Sequence, residues 1–183
     1  MINLGFAKQA KFHFCVISLF FNFAYSSPIP ATSTSALTSP EKGLFFSIKG
    51  FQLSAKNTSW LLSEEPLLYK SKTYTGALFS VEQDTLKVDL TLENYAKRWM
   101  KDYSQYGFDV LGVKSFSHNK DRGLVIDLLQ HKQNKQIRQA IFLSNKDAVV
   151  LTCLADQNDF KNILTDCNQM IKGFSWTKPF LEK

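Results

Sequence analysis

Side chains able to do covalent or acid–base chemistry are scarce in this sequence, and their spacing limits what they can do. Among 183 residues there are three His and three Cys. A Ser/His/Asp site needs an imidazole placed to take the serine proton. Here His118 falls in a turn-forming stretch, His131 sits at the end of a strand-type run beside Lys132, and no G-x-S-x-G elbow accompanies them. Cys153 as a nucleophile would need an exposed thiolate beside a base, yet its neighbours are Val149, Leu151 and Leu154. Metal chemistry is no better served. Cys153 and Cys167 lack C-x-x-C spacing, and no His stands with carboxylates at ligand intervals. Asp84 and Asp89 flank an expected loop and read as solvated. The eight Gly stand singly, so no loop is built to cradle phosphate. The expectation is a non-enzyme with no catalytic residues, no cofactor and no metal.

Two binding sets are worth weighing. His131, Lys132, Lys135 and Arg138 form a basic hairpin tip that could touch an anionic lipid or polymer, although Lys at strand ends commonly guards against edge pairing. Tyr95, Trp99, Tyr103 and Tyr106 could line a ligand pocket, but their helical period reads first as core packing. Asn57-Thr58-Ser59 matches a glycosylation acceptor, meaningful only in a eukaryotic secretory source.

Cys153 and Cys167 carry two readings. In an oxidising compartment an even pair invites a disulfide tying the last long strand to the last helix; otherwise they are two buried thiols acting as small apolar groups. The N-terminus supplies the compartment. Lys8 and Lys11 precede an apolar run from Phe12 to Tyr25, and Ala24 and Ser26 give the small residues that a signal peptidase reads. Interrupted by His13, Ser18 and Asn22, that run falls short of the ~20 apolar residues needed to span a bilayer. Cys15 follows Phe14 rather than a small residue, so lipidation is not expected. Residues 1–26 therefore read as a signal peptide, giving an extracytoplasmic protein, periplasmic or secreted, with no stable transmembrane span after cleavage.

Cleavage removes two Lys and no acid, so the net charge falls from +6 to +4. With both signs interspersed, this describes a soluble surface rather than a nucleic-acid footprint. Residues 27–42 are rich in Ser, Thr and Pro and read as a flexible linker. One domain over 43–176 and a short tail, 177–183, complete the expected division.

Within the domain, short strand-type runs cover 44–49, 51–53, 59–62, 67–73 and 77–83. A helix is expected from Thr91 to Tyr106, because Leu92, Tyr95, Ala96, Trp99, Met100 and Tyr103 recur at helical spacing. Thr91 caps its start and Gly107 ends it. Four strand runs follow at 109–117, 123–131, 136–144 and 148–155. Their separators are too short for parallel crossovers, so the strands form an antiparallel meander. The third and fourth are apolar on both parities and must be covered on both faces. A second helical stripe runs through Phe160, Ile163, Leu164, Cys167, Met170, Ile171 and Phe174, capped by Asp156 or Asn158 and stopped by Gly173. Trp99, Met100, Leu151, Phe160, Leu164 and Ile171 are expected in the core.

This order of elements, with Gly50-Phe51-x-Leu53 and Trp60 early and Val149 to Ala155, Phe160 and Ile171 to Phe174 late, resembles the PsbP-like superfamily, which includes DcrB-like periplasmic proteins. The resemblance covers about 43–176. It implies an α+β fold: a three-layer α/β/α sandwich with a central antiparallel sheet and two main amphipathic helices. It also implies a non-catalytic role, binding a protein or envelope component, as photosynthetic members support photosystem II. The alternative is a small secreted hydrolase or ligand carrier with a dispersed site.

Overall fold

The structure, a computed structural model, describes residues 44–46, 50–63, 67–118 and 121–177. The expected signal peptide, 1–26, and linker, 27–42, lie outside the described residues, as does the tail beyond Thr177. Among the described residues the strands are β1 (Leu44–Phe46), β2 (Phe51–Ser54), β3 (Trp60–Leu62), β4 (Leu68–Ser71) and β5 (Leu78–Thr85). Helix α1 (Leu92–Tyr103) precedes β6 (Phe108–His118), β7 (Asp121–Gln130), β8 (Lys135–Ser144) and β9 (Asp147–Asp156); α2 (Gln157–Lys172) and β10 (Phe174–Trp176) close the domain.

The fold is α+β. Seven strands form one antiparallel sheet in the order β3-β4-β5-β9-β8-β7-β6, and β1-β2-β10 form a separate antiparallel sheet. The expected meander is present as β6 to β9. Sequence spacing does not reveal its continuation: β9 pairs on its other side with β5, from Leu78↔Leu154 to Thr85↔Asp147. The last strand of the meander is thus the middle of the sheet. That position accounts for its composition, since Ala148 to Ala155 are all buried.

The helices meet opposite parities of the central strands. Val149, Leu151 and Cys153 pack in one cluster with Phe160, Ile163, Cys167, Met170 and Ile171 of α2. Thr152 has the other parity, and its β8 neighbour Gln139 bonds Tyr103 of α1. Burial of each large apolar side chain in this core contributes roughly 1.5 to 3 kcal/mol.

Helix α1 starts as its sequence dictates, with the Thr91 hydroxyl accepting from the Asn94 N–H at 3.2 Å. A 3-10 turn at Ser104–Tyr106 follows, and Gly107 at φ +78° ends it. Leu92, Tyr95, Ala96 and Tyr103 are buried, as are Leu151, Phe160 and Ile171. Trp99, Met100 and Leu164 are only half-buried. Met100 and Leu164 lie at the margins of their stripes, and Trp is seldom covered completely.

Three details of α2 differ from expectation. Asp156 stands at the N-cap position but makes no capping bond; its carboxylate pairs with Lys135 Nζ at 2.9 Å instead. Gly173 is right-handed, φ −75°, so a left-handed stop is not its purpose. A Cβ there would collide with the Ser54 carbonyl of β2, and the Ser54 N–H donates to the Gly173 carbonyl at 3.1 Å. Glycine permits the small sheet to approach the helix end. Phe174, which continues the helical stripe in sequence, instead opens β10 opposite Leu53. Its ring stacks on Phe142 of β8 with centroids 4.0 Å apart, joining the two sheets.

Candidate functional site

Polar groups concentrate between α1 and the sheet. Register places Ser80, Glu82 and Asp84 of β5 beside Thr152, Val150 and Ala148 of β9. The Tyr103 hydroxyl bonds Gln139 Oε1, and Gln139 Nε2 donates to Thr152 Oγ1 at 3.3 Å. Tyr95 donates to Asp84 Oδ2 at 3.5 Å. Asp84 is therefore a half-buried member of β5, not a solvated loop residue, whereas Asp89 is exposed. The hydrogen bonds turn the buried polar row into a satisfied network that also fixes the angle of α1.

Two side chains on this face are exceptions, Gln130 of β7 and Glu82 of β5, whose buried Oε1 atoms have no hydrogen-bond partner among the described residues. Glu82 is the ionisable one. Desolvation pushes its carboxyl up to about 7 from 4.5. Burial also raises the Tyr95 and Tyr103 hydroxyls, and the negative charge of Glu82 adds to both shifts. A carboxyl titrating near neutrality meets one condition for general acid–base work. The second condition, a complementary group within reach, is not met by the histidines. His118 lies on β6, four strand spacings or about 19 Å from β5. His131, in a 3-10 turn, pairs through Nε2 with Asp109 Oδ2 at 2.6 Å. Among the described residues no cluster of three or more His, Cys, Asp or Glu could hold a metal ion. No helix among them is long and apolar enough to cross a membrane.

On the opposite parity, Cys153 and Cys167 are joined by a disulfide, with Cα atoms 6.0 Å apart and both side chains fully buried. The chain makes this possible by starting α2 directly after β9, so that the helix folds back over its own strand. Cys167 then lies about 15 Å along the helix and Cys153 about 10 Å back along the strand, close enough to meet. Arg138, the register partner of Cys153, sends Nε and Nη2 to the two oxygens of Asp127 at 2.7 and 2.8 Å and Nη1 to Asn168 Oδ1 of α2 at 2.8 Å. Asp166 of the same helix accepts from the Ser59 N–H at 2.9 Å and from its hydroxyl. These contacts bind α2 to the sheet.

The basic hairpin tip is largely spent on such pairs. Lys135 faces Asp156, Arg138 faces Asp127 and His131 faces Asp109, while Lys132 stands exposed in the turn. The aromatic set divides likewise: Tyr95 and Tyr103 are core, Trp99 is half-buried and Tyr106 is exposed. Asn57 occupies an exposed turn at φ +60°. Glu82 was missed in sequence because β5 alternates imperfectly, and its burial arises from β9 and α1, both distant along the chain. The other feature not visible in sequence is apolar exposure on the two edge strands: Leu61 and Leu62 on β3, and Val110, Leu111 and Val113 on β6.

No protein-family model matches the sequence, and no curated protein matches it. Solved structures do. The solution structure of cyanobacterial PsbP (CyanoP) from Synechocystis sp. PCC 6803 aligns with a TM-score of 0.55, covering 78% of this chain and 98% of that one. The fold is PsbP-like. Sequence identity is 9%, so the shared feature is the backbone path. A protein of unknown function from Pseudomonas aeruginosa, PA94, aligns with a TM-score of 0.51 at 12% identity, over 73% of this chain and 87% of that one. The PsbP-like fold is the one that the order of elements implied.

Proposed function

We propose that this chain is a non-catalytic accessory domain acting outside the cytoplasm, where it binds a protein or an envelope component. The observation that carries the reading is the placement of its side chains. Cys153, Tyr95, Tyr103 and Arg138 are engaged in internal bonds. Leu61 and Leu62, by contrast, are half exposed on an edge strand. Exposed apolar side chains at a sheet edge suit association with another macromolecule.

Several parts belong to the same reading. Residues 1–26 are a cleaved signal, 27–42 a linker, 43–176 the folded domain and 177–183 a tail. The leader-like N-terminus and the Cys153–Cys167 disulfide support an oxidising compartment. We also assign α1 and α2 to the outer layers of a three-layer α/β/α sandwich. The opposite parities of the Tyr103–Gln139 and Cys153–Cys167 contacts support this arrangement. A second reading, a small secreted hydrolase or ligand carrier, draws on Glu82, whose unpartnered oxygen lies between α1 and the sheet.

Site-specific photo-crosslinking tests the favoured function. A crosslinker at position 61 or 62 should trap one discrete adduct with an envelope component in the native cell. Uniform absence of adducts at both positions would count against it. Intact-mass measurement of the exported protein should show loss of residues 1–26, and a species retaining Met1 would refute the address.

A further inference from the structure

We propose that the outer edge of β6 is a self-association site, at which β6 of a second copy of this chain pairs antiparallel about a two-fold axis through Gly112. The inference goes beyond the accessory role above and does not depend on it. Strand β6 ends the seven-stranded sheet, and among the described residues no strand pairs with its outer edge. Exposed edges are ordinarily kept short, broken by Pro or a bulge, or guarded by charges such as Lys. This one carries a bulge and Lys114, yet it runs for 11 residues without Pro, and Val110, Leu111 and Val113 are 43%, 54% and 42% exposed along it.

A bulge makes the strand complementary to itself. Val110 pairs with Leu128 of β7 and Gly112 with Asp127, so Leu111 is the extra residue and alternation restarts after it. Register through β7 and β8 then assigns faces. Val110, opposite Leu128, and Val113, opposite Ile126, share the parity of Gln139, the α1 side. Asp109, opposite Leu129, and Lys114, opposite Val125, share the parity of Cys153, the α2 side. Without the bulge, residues three apart would point to opposite faces.

With Gly112 on the two-fold axis, Val110 of each copy faces Val113 of the other, and Asp109 faces Lys114. Both pairs occur twice, apolar on one face and oppositely charged on the other. Moving the axis by one paired position in either direction sets Asp109 and Lys114 against neutral residues, so this register alone of the three gains a charge pair. A residue with no side chain stands at the closest point, and the ideal Cβ position at Gly112 has no heavy atom within 4 Å. Asp109 already pairs with His131 through Oδ2, which leaves Oδ1 for Lys114 of the second copy. The occupant that fits this edge is another copy of the same edge.

Sedimentation velocity on the purified full chain tests this, with a charge swap as the diagnostic. The wild type should show a concentration-dependent monomer–dimer equilibrium. Asp109→Lys or Lys114→Asp alone places like charges opposite each other twice and should raise the dissociation constant by about tenfold or more. The double variant Asp109→Lys/Lys114→Asp restores the complementary pairs and should return the constant to within about threefold of wild type. Both side chains are exposed, and matching thermal melts would show that folding is intact. A wild type that stays monomeric at millimolar concentration, as it would if the edge served a different protein, overturns the proposal. So does a double variant as weak as the single ones.

Discussion

Replacing Glu82 with Gln should alter how stability depends on pH more than it alters stability at any one pH. In the folded chain the Glu82 carboxyl keeps its proton up to about pH 7, against 4.5 when unperturbed. Between those values the folded state binds more protons than the unfolded state, so stability falls as pH rises and levels off above about 7. At about 1.36 kcal/mol per pH unit, the full displacement amounts to roughly 3 kcal/mol. Glutamine cannot ionise, so the variant lacks this slope. Its amide brings a cost of its own, because the N–H groups enter a place where Oε1 already lacks a partner, and that cost is about 1 to 3 kcal/mol at every pH.

The two effects separate in urea melts of both proteins across a pH series. Other titrating groups are common to the pair and cancel in the difference. Relative to wild type, the variant should gain roughly 3 kcal/mol between about pH 4 and pH 8, with most of the change below 7. A difference that stays flat across the series would mean that the Glu82 carboxyl is solvated, and would refute its burial beneath α1.

Four other variants test the packing. Replacing Cys153 and Cys167 together by Ala should cost about 3 kcal/mol, as expected for opening a loop of this length, and unreduced wild type should show neither thiol of the pair on titration after unfolding. Leu151→Ala should cost roughly 2 to 5 kcal/mol in a denaturant melt, because the side chain is fully buried in the central strand; a neutral result would overturn its placement. Gly173→Ala and Gly123→Ala should differ: the first drives a methyl against the Ser54 backbone and should cost about 1 to 3 kcal/mol, whereas the second meets the ring of Phe116, 2.5 Å away and half-buried, which can turn aside.

What was legible in the sequence follows from the range of each interaction. Both helices are periodic over more than ten residues, and the four meander strands are long apolar-rich runs separated by short turn-forming segments, so each signal lies within a local stretch of chain. The small sheet has no such record. Strands of three or four residues are too short to show alternation, and β10 is disguised because Phe174 falls in phase with the α2 stripe. The chain leaves the helix at Gly173, where Ser54 approaches, a contact between residues 119 positions apart that no window reading of the sequence could reveal.

The same reasoning separates the two cysteines from Glu82. Cys153 and Cys167 lie on consecutive elements, so helix rise and strand rise alone bring them within reach. Glu82 is buried by β9 and α1 together, and it becomes unusual only when β5 inserts beside β9. In sequence it is one acid in a short, imperfect run ending in Asp84 and Thr85. The edge of β6 poses the converse problem, since Val110, Leu111 and Val113 look like core residues until the strand order leaves them outside. An apolar strand reads identically at the centre and the margin of a sheet, and only pairing with distant strands decides which it is. In this chain the largely buried acid and the exposed valines are both consequences of the β5–β9 pairing: by taking the remaining free edge of β9, β5 carries its own Glu82 in beside Val150 and leaves β6 as the meander's open side.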